Sequence, residues 1–166
     1  MINLITNDLK DKRLKYLLLA SIGVAAANIK EKTIHSALRI QESSSRFQTL
    51  VFHDHEYFKT LKNINILIID KISMVSAALF SFISNMFSII QQQTTAFGGL
   101  NVIVVGDLAQ LPLITGLPIY KSLEWKLFYP LFLRQPQRQI NQEIRLEKIS
   151  LNTWTFLYQK ARTFNY

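Results

Sequence analysis

The chain has 166 residues, 49% of them hydrophobic, and a formal net charge of +8. That is enough for one domain with a real core and too apolar for a disordered polyelectrolyte. It has no cysteine, which excludes disulfides and thiolate metal sites. The positive balance points to a polyanionic partner such as nucleic acid, against the plain alternative of a solvated basic surface.

The first element predicted is an amphipathic helix over Ile2–Tyr16. Ile2, Ile5 and Leu9 lie on one side, and a basic C-terminal end suits the helix dipole. Asn3, Asn7, Asp8 and Lys10 interrupt any apolar stretch of a secretory signal. Tyr16–Ala20 (YLLLA) reads as a short buried strand, Ser21-Ile22-Gly23 as a turn, and Val24–Ile29 as the start of a helix. Thr33–Ile40 (TIHSALRI) follows as another short helix, with Thr33 as its N-cap.

Gln41–Lys62 is the least regular stretch, with SSSR at Ser43–Arg46 marking a loop. His53 and His55 would share one face of a strand, which invites a metal reading, but no third ligand follows at a recognisable spacing. A variable surface loop is the stronger reading.

Ile64–Ile69 and Asn101–Val105 are continuous apolar runs that lead to Asp70 and Asp107. Buried parallel strands look like this, and ligands of open α/β sheets bind at their carboxyl edge. Between them, Val75, Leu79, Ile83, Met86 and Ile90 recur at helical spacing, predicting a helix over Ser76–Gln93 and a returning loop at Gly98-Gly99. Tyr16–Ile29 is too short for a membrane span of roughly 20 residues. Met74–Ile90 is broken by serines and reads as a buried helix. A short helix at Trp125–Tyr129 is cut off by Pro130, a strand follows at Leu131–Leu133, and helical pieces with weak packing are expected from Gln135 on. Alternating strands and helices of this length imply a mostly parallel sheet.

Four segments in this order, GVAAANIKEKTIHSALRI, LIIDKISM, FGGLNVIVVGDLAQLP and FYPLFLRQPQRQ, resemble the PIF (petite integration frequency) DNA helicases. Those are RecD-like members of the superfamily-one helicases. The resemblance implies an α/β fold: an incomplete RecA-like P-loop NTPase domain over residues 1–140, lacking its first strand and P-loop, with 141–166 leading towards a second domain. It implies ATP and Mg2+ as cofactors, with Asp70 the Walker B aspartate and metal ligand. Gly106, Asp107 and Gln110 would belong to the third helicase motif, where Gln110 senses the γ-phosphate, and Arg138 would serve as the arginine finger. Gly23, Val24 and Ala25, with Thr33, His35 and Ser36, would lie against single-stranded DNA. Taken singly, the same residues have plain readings: His35 as a hydrogen-bonded core histidine, Asp107 and Gln110 as turn caps, Arg138 as a surface charge.

The departures weigh as much. No Gly-x-x-x-x-Gly-Lys-Ser/Thr occurs, so the phosphate cradle is missing, and the chain is expected to start just after it. Lys71 stands where the family has a glutamate that acts as general base, and an ammonium has no lone pair with which to take that proton. Ser21-Ile22 replaces Pro-Thr, Leu113 replaces a proline, Glu147 replaces the glycine of the IR-x-G element, and the stretch before Ile144 is shorter by about two helical turns. The expectation is a truncated, degenerate piece of an ATP-dependent DNA helicase, whose family unwinds DNA five-prime to three-prime in repair, recombination and telomere maintenance. Alone it would be catalytically deficient. The alternatives are a non-catalytic single-strand DNA-binding module, or a gene remnant whose sheet has an open edge. No membrane association is expected; an intracellular, soluble protein of the nucleus, or of the mitochondrion, follows from the family.

Overall fold

The computed structural model describes residues 2–21, 32–43, 46–108, 115–133 and 153–158. Three apolar runs form the middle of its sheet: β1 (Tyr16–Ala20), β5 (Ile66–Asp70) and β6 (Asn101–Gly106). All three are parallel, with Ala20 opposite Asp70 and Ile69 opposite Val104. A two-residue β2 (Lys32–Thr33) continues the parallel set on the far side of β1, placing Thr33 opposite Ala20. The sheet order is β2-β1-β5-β6-β8-β7, where β7 is Tyr129–Leu133 and β8 is Thr153–Tyr158.

Period-two alternation sends successive side chains of β5 to opposite faces. Leu67 and Ile69 join the larger core, while Ile66 and Ile68 join a smaller one with Leu9 and Leu18. The smaller core is covered by α1 (Ile2–Asp11), through Ile2, Ile5 and Leu9. The helix ends earlier than its pattern predicts because Arg13 turns the chain at φ 55°, which frees Tyr16 to open β1.

The larger core is built by α2 (Ile34–Ala37), α3 (His55–Lys62) and α4 (Ala77–Gln91). Helix α4 starts at the Ser76 cap, whose Oγ accepts from the Leu79 N–H at 3.1 Å, and ends at Gln92 in the left-handed region. Behind it the chain folds back through Gly98 at φ +60°. The buried Ser84 Oγ accepts from the Phe97 N–H at 3.1 Å, which locks that return onto the helix. Phe80, Phe97 and Phe128 meet there with ring centroids 5.1 to 6.2 Å apart, and Trp125 stacks on Phe128. Offset and edge-on rings at such distances add to the area that they bury.

Further parts differ from the sequence expectation. The helix predicted over Thr33–Ile40 is the single turn of α2, with Ile40 already in a strand. The helix predicted over Trp125–Tyr129 is a 3-10 turn over Glu124–Leu127 that passes into β7 at Tyr129. The irregular stretch contains a β-hairpin, β3 (Ile40–Ser43) with β4 (Arg46–Thr49), and then the capped helix α3. Its strands are four residues long and only partly buried, so no apolar run marks them. His53 ends a 3-10 turn and His55 opens α3, so the two histidines do not share a strand face. Near the C-terminus, where helical pieces are expected from Gln135 on, Thr153–Tyr158 form the strand β8, which pairs antiparallel with β6 along Val102–Gly106; the rest of that stretch lies outside the described residues. The edge of β6 is therefore filled, and the described edge of the sheet moves out to β7. Pro130 stands in that outer strand, where a residue without an N–H is tolerated.

Candidate nucleotide and DNA edge

Because β1, β2, β5 and β6 are parallel, their carboxyl ends come out along one edge. Thr33, Ala20 and Asp70 lie in one row across three strands, which sets Thr33 and Asp70 about 10 Å apart. Gly106 and Asp107 follow just beyond the Ile69–Val104 pair.

Asp70 is half-buried at the end of β5. Burial raises its carboxyl above the usual carboxylate range, opposed by the Lys71 backbone N–H and the Lys71 ammonium. A desolvated carboxylate of this kind is a fitting partner for a divalent cation, because magnesium takes one or two carboxylates and completes its shell with phosphate oxygens and water. Among the described residues, no three acidic, histidine or cysteine side chains gather into an all-protein cage.

Lys71 is exposed and left-handed, at φ 56° and ψ 45°. For a residue with a Cβ this conformation costs on the order of 1–2 kcal/mol, so neighbouring structure must hold it. Two neighbours do. Ser21 donates its backbone N–H to the Asp70 carbonyl at 3.3 Å and its hydroxyl to the Lys71 carbonyl at 3.0 Å. Gly106 lies against the turn so closely that a Cβ there would stand 2.9 Å from the Ile72 nitrogen and 3.0 Å from its Cγ2. The glycine is needed for this close approach, and it brings Asp107, which is buried, next to the Lys71 turn. Neither tie is visible in the sequence, where Ser21 reads as the start of a turn and as a departure from the family pattern.

At the other end of the row, Thr33 caps α2. Its Oγ1 accepts from the Ser36 N–H at 3.2 Å, and the two hydroxyls bond at 2.9 Å. The capping predicted for Thr33 is therefore present. His35 and Ser36 are exposed, which rules out the buried-histidine reading. Lys32 is exposed beside them. The edge thus presents hydroxyls, an imidazole and an ammonium group at one end and a carboxylate at the other. Gly23, Val24, Ala25, Gln110 and Arg138 lie outside the described residues.

The profile of the PIF1-like helicase family matches residues 1–159. The chain belongs to that family. It is 33% identical over 121 residues to the human ATP-dependent DNA helicase PIF1, covering 69% of this chain and 19% of that protein. It is 31% identical over 116 residues to the ATP-dependent DNA helicase PIF1 of Saccharomyces cerevisiae, covering 64% of this chain and 14% of the relative. Among solved structures, Bacteroides Pif1 bound to single-stranded DNA superposes with a TM-score of 0.62 at 25% identity, over 71% of this chain and 31% of that one. A double mutant of the Bacteroides Pif1 helicase gives 0.60 at 27% identity, over 68% and 30%. The fold is the RecA-like one of these helicases, and the chain spans about a fifth or less of its curated PIF1 relatives. No helix among the described residues is long and apolar enough to cross a membrane.

Proposed function

We propose that these residues form part of the first motor domain of a PIF1-type ATP-dependent DNA helicase and turn over no ATP by themselves. Asp70 would hold the nucleotide's magnesium, which neutralises phosphate charge when bound. The observation that carries the negative half is Lys71, an exposed ammonium beside that carboxylate, at the position where the family pattern has its base. A protonated amine cannot deprotonate the attacking water, and the 166 residues hold no glycine-rich phosphate cradle. Steady-state ATPase in the presence of single-stranded DNA and magnesium should stay at background. Turnover that Asp70→Ala abolishes would refute the proposal.

A second reading is supported by the α2 end of the edge: a single-strand DNA contact that needs no hydrolysis. Lys32, Thr33, His35 and Ser36 are accessible there, on a chain of net charge +8. Small hydroxyls and cations beside a helix cap suit phosphate oxygens. Binding of a fluorescent oligo-dT should weaken with salt, and Lys32→Ala should lower the slope of log affinity against log salt by about 1. Binding that Lys32→Ala leaves untouched in both affinity and slope would refute that reading.

A further inference from the structure

The stretch between α2 and β5 carries a feature that neither the nucleotide site nor the DNA edge uses. Helix α2 is a single turn, far too short to hold itself together in water. Its apolar side, Ile34 and Ala37 with the following Leu38, is buried in the core, yet burial alone does not fix the angle at which His35 and Ser36 are presented.

What fixes the far end is a set of three successive carbonyls, each given its own donor from a different place. The Ala37 carbonyl accepts from the Tyr57 hydroxyl of α3 at 2.6 Å. The Leu38 carbonyl accepts from the Thr49 hydroxyl at the end of the hairpin, also at 2.6 Å. The Arg39 carbonyl accepts from the Leu50 N–H at 3.2 Å. Carbonyls at a helix C-terminus have no partner within the helix, so outside donors decide where that end sits. The same residues are held in turn. The Arg39 guanidinium lies 4.7 Å over the Tyr57 ring and pairs with Asp54 at 2.8 Å. Asp54 also caps α3, accepting from the Tyr57 N–H at 2.9 Å. Arg39 takes the left-handed conformation at φ 48°, which turns the chain from α2 into the hairpin.

We infer that Tyr57 and Thr49 are positioning residues for the proposed DNA edge: through the Ala37 and Leu38 carbonyls, the hairpin and α3 set the attitude of α2 and so present His35 and Ser36. This rests on the reading of α2 as a single-strand contact, and the test separates the two. The Leu38 N–H donates to the Ile34 carbonyl at 2.9 Å and closes the α2 turn, so its hydrogen exchange reports the clamp with no DNA present. In the full chain, Tyr57→Phe and Thr49→Val should each speed exchange at Leu38 by roughly tenfold, the loss of the one good hydrogen bond that each hydroxyl gives to that end of α2. Thr49→Val also removes the acceptor of the Val51 N–H at 3.1 Å. Ile68, at the centre of the sheet, should keep its wild-type rate. Thr49→Ser, which keeps the hydroxyl, should stay within about twofold of wild type at Leu38. Unchanged Leu38 exchange in both Tyr57→Phe and Thr49→Val would overturn the clamp.

With oligo-dT, the same two variants should weaken binding by roughly five- to tenfold in step with the faster Leu38 exchange, at an unchanged salt slope because neither removes a charge. Ser84→Ala serves as a control for general destabilisation, since the Ser84 hydroxyl bonds Phe97 rather than α2; it should bind as wild type. Weaker oligo-dT binding in Tyr57→Phe with unchanged Leu38 exchange would place Tyr57 on the DNA itself and overturn the positioning role. If wild type fails to bind oligo-dT while Leu38 responds as stated, the DNA reading falls and the clamp stands.

Discussion

Gly106 offers the most direct test of how the edge is assembled. An alanine there would place its Cβ 2.9 Å from the Ile72 nitrogen and 3.0 Å from Ile72 Cγ2. The first neighbour is backbone, held in the Lys71–Ile72 turn by the two Ser21 hydrogen bonds, so it cannot rotate away as a side-chain tip would. Ile72 is fully buried, so its methyl has no free space to enter. Forcing one carbon into a closed contact of this kind costs about 1–3 kcal/mol. For a chain of this length each kcal/mol lowers the melting temperature by about 2–4 °C. Urea unfolding of Gly106→Ala should show a lower midpoint at an unchanged m-value, since the surface exposed on unfolding is the same. In a double-mutant cycle, Ile72→Ala should relieve only the Cγ2 part of the clash and leave a deficit. A Gly106→Ala chain within about 0.5 kcal/mol of wild type, or one fully rescued by Ile72→Ala, would refute the backbone contact as the determinant.

Three further outcomes follow from the same structure. Asp70 is held above the usual carboxylate range, so the folded chain binds its proton more tightly than the unfolded one. Its contribution to stability is greatest below the unfolded carboxylate range and is lost as pH rises through the raised value; Asp70→Asn should therefore stabilise the fold at neutral pH and flatten that slope in pH-dependent melts. Asp54 has the opposite sign: the Tyr57 N–H and then the Arg39 side chain lower it, so its contribution is present above the unfolded range and is lost as pH falls through the lowered value, and Asp54→Ala should flatten the acid limb of the stability curve. Ser84 is buried and its Oγ accepts from the Phe97 N–H; Ser84→Ala leaves that N–H without this acceptor and should cost about 1–3 kcal/mol in chemical denaturation.

The parts of the fold legible in the sequence were those whose signal is local. YLLLA, ILIID and NVIVVG are long apolar runs that only buried strands explain, and the recurrence from Val75 to Ile90 could only be a helix. The Thr33 cap was legible because capping is written in neighbouring residues. The hairpin was not, because its register depends on a half-buried face and on partners outside it, such as Phe47 against Phe82 at 5.6 Å. Nor was β8, whose place beside β6 is a long-range pairing that polar and basic residues before it do not announce. At the site, the residue types at the strand ends were readable, but their mutual ties were not. Ser21 reaches the Lys71 turn across 50 residues, and Gly106 meets Ile72 from a different strand, distances over which a sequence pattern carries no signal.

Those ties also explain how the turn accommodates a lysine at residue 71, the position proposed for the family's base. Everything that holds residue 71 in place acts on its backbone: the Ser21 hydroxyl donates to the carbonyl, and Gly106 packs on the peptide that follows. The side chain is exposed and bears no part of the fold. The left-handed strain is the same for lysine and glutamate, so it cancels between them. Lys71→Glu should therefore leave the urea midpoint within about 0.5–1 kcal/mol of wild type, the range of an exposed charge pair. Its electrostatic effect should be plain nonetheless. An ammonium that opposes the rise of the Asp70 carboxyl is exchanged for a second carboxylate, so Asp70 must titrate at higher pH than in wild type, read by carboxyl-carbon NMR. A large loss of stability would show that the lysine side chain supports the turn after all. An unmoved Asp70 titration would show that the ammonium does not reach the carboxylate, and with it would fall the view of Lys71 as a cation beside the carboxylate proposed to hold magnesium.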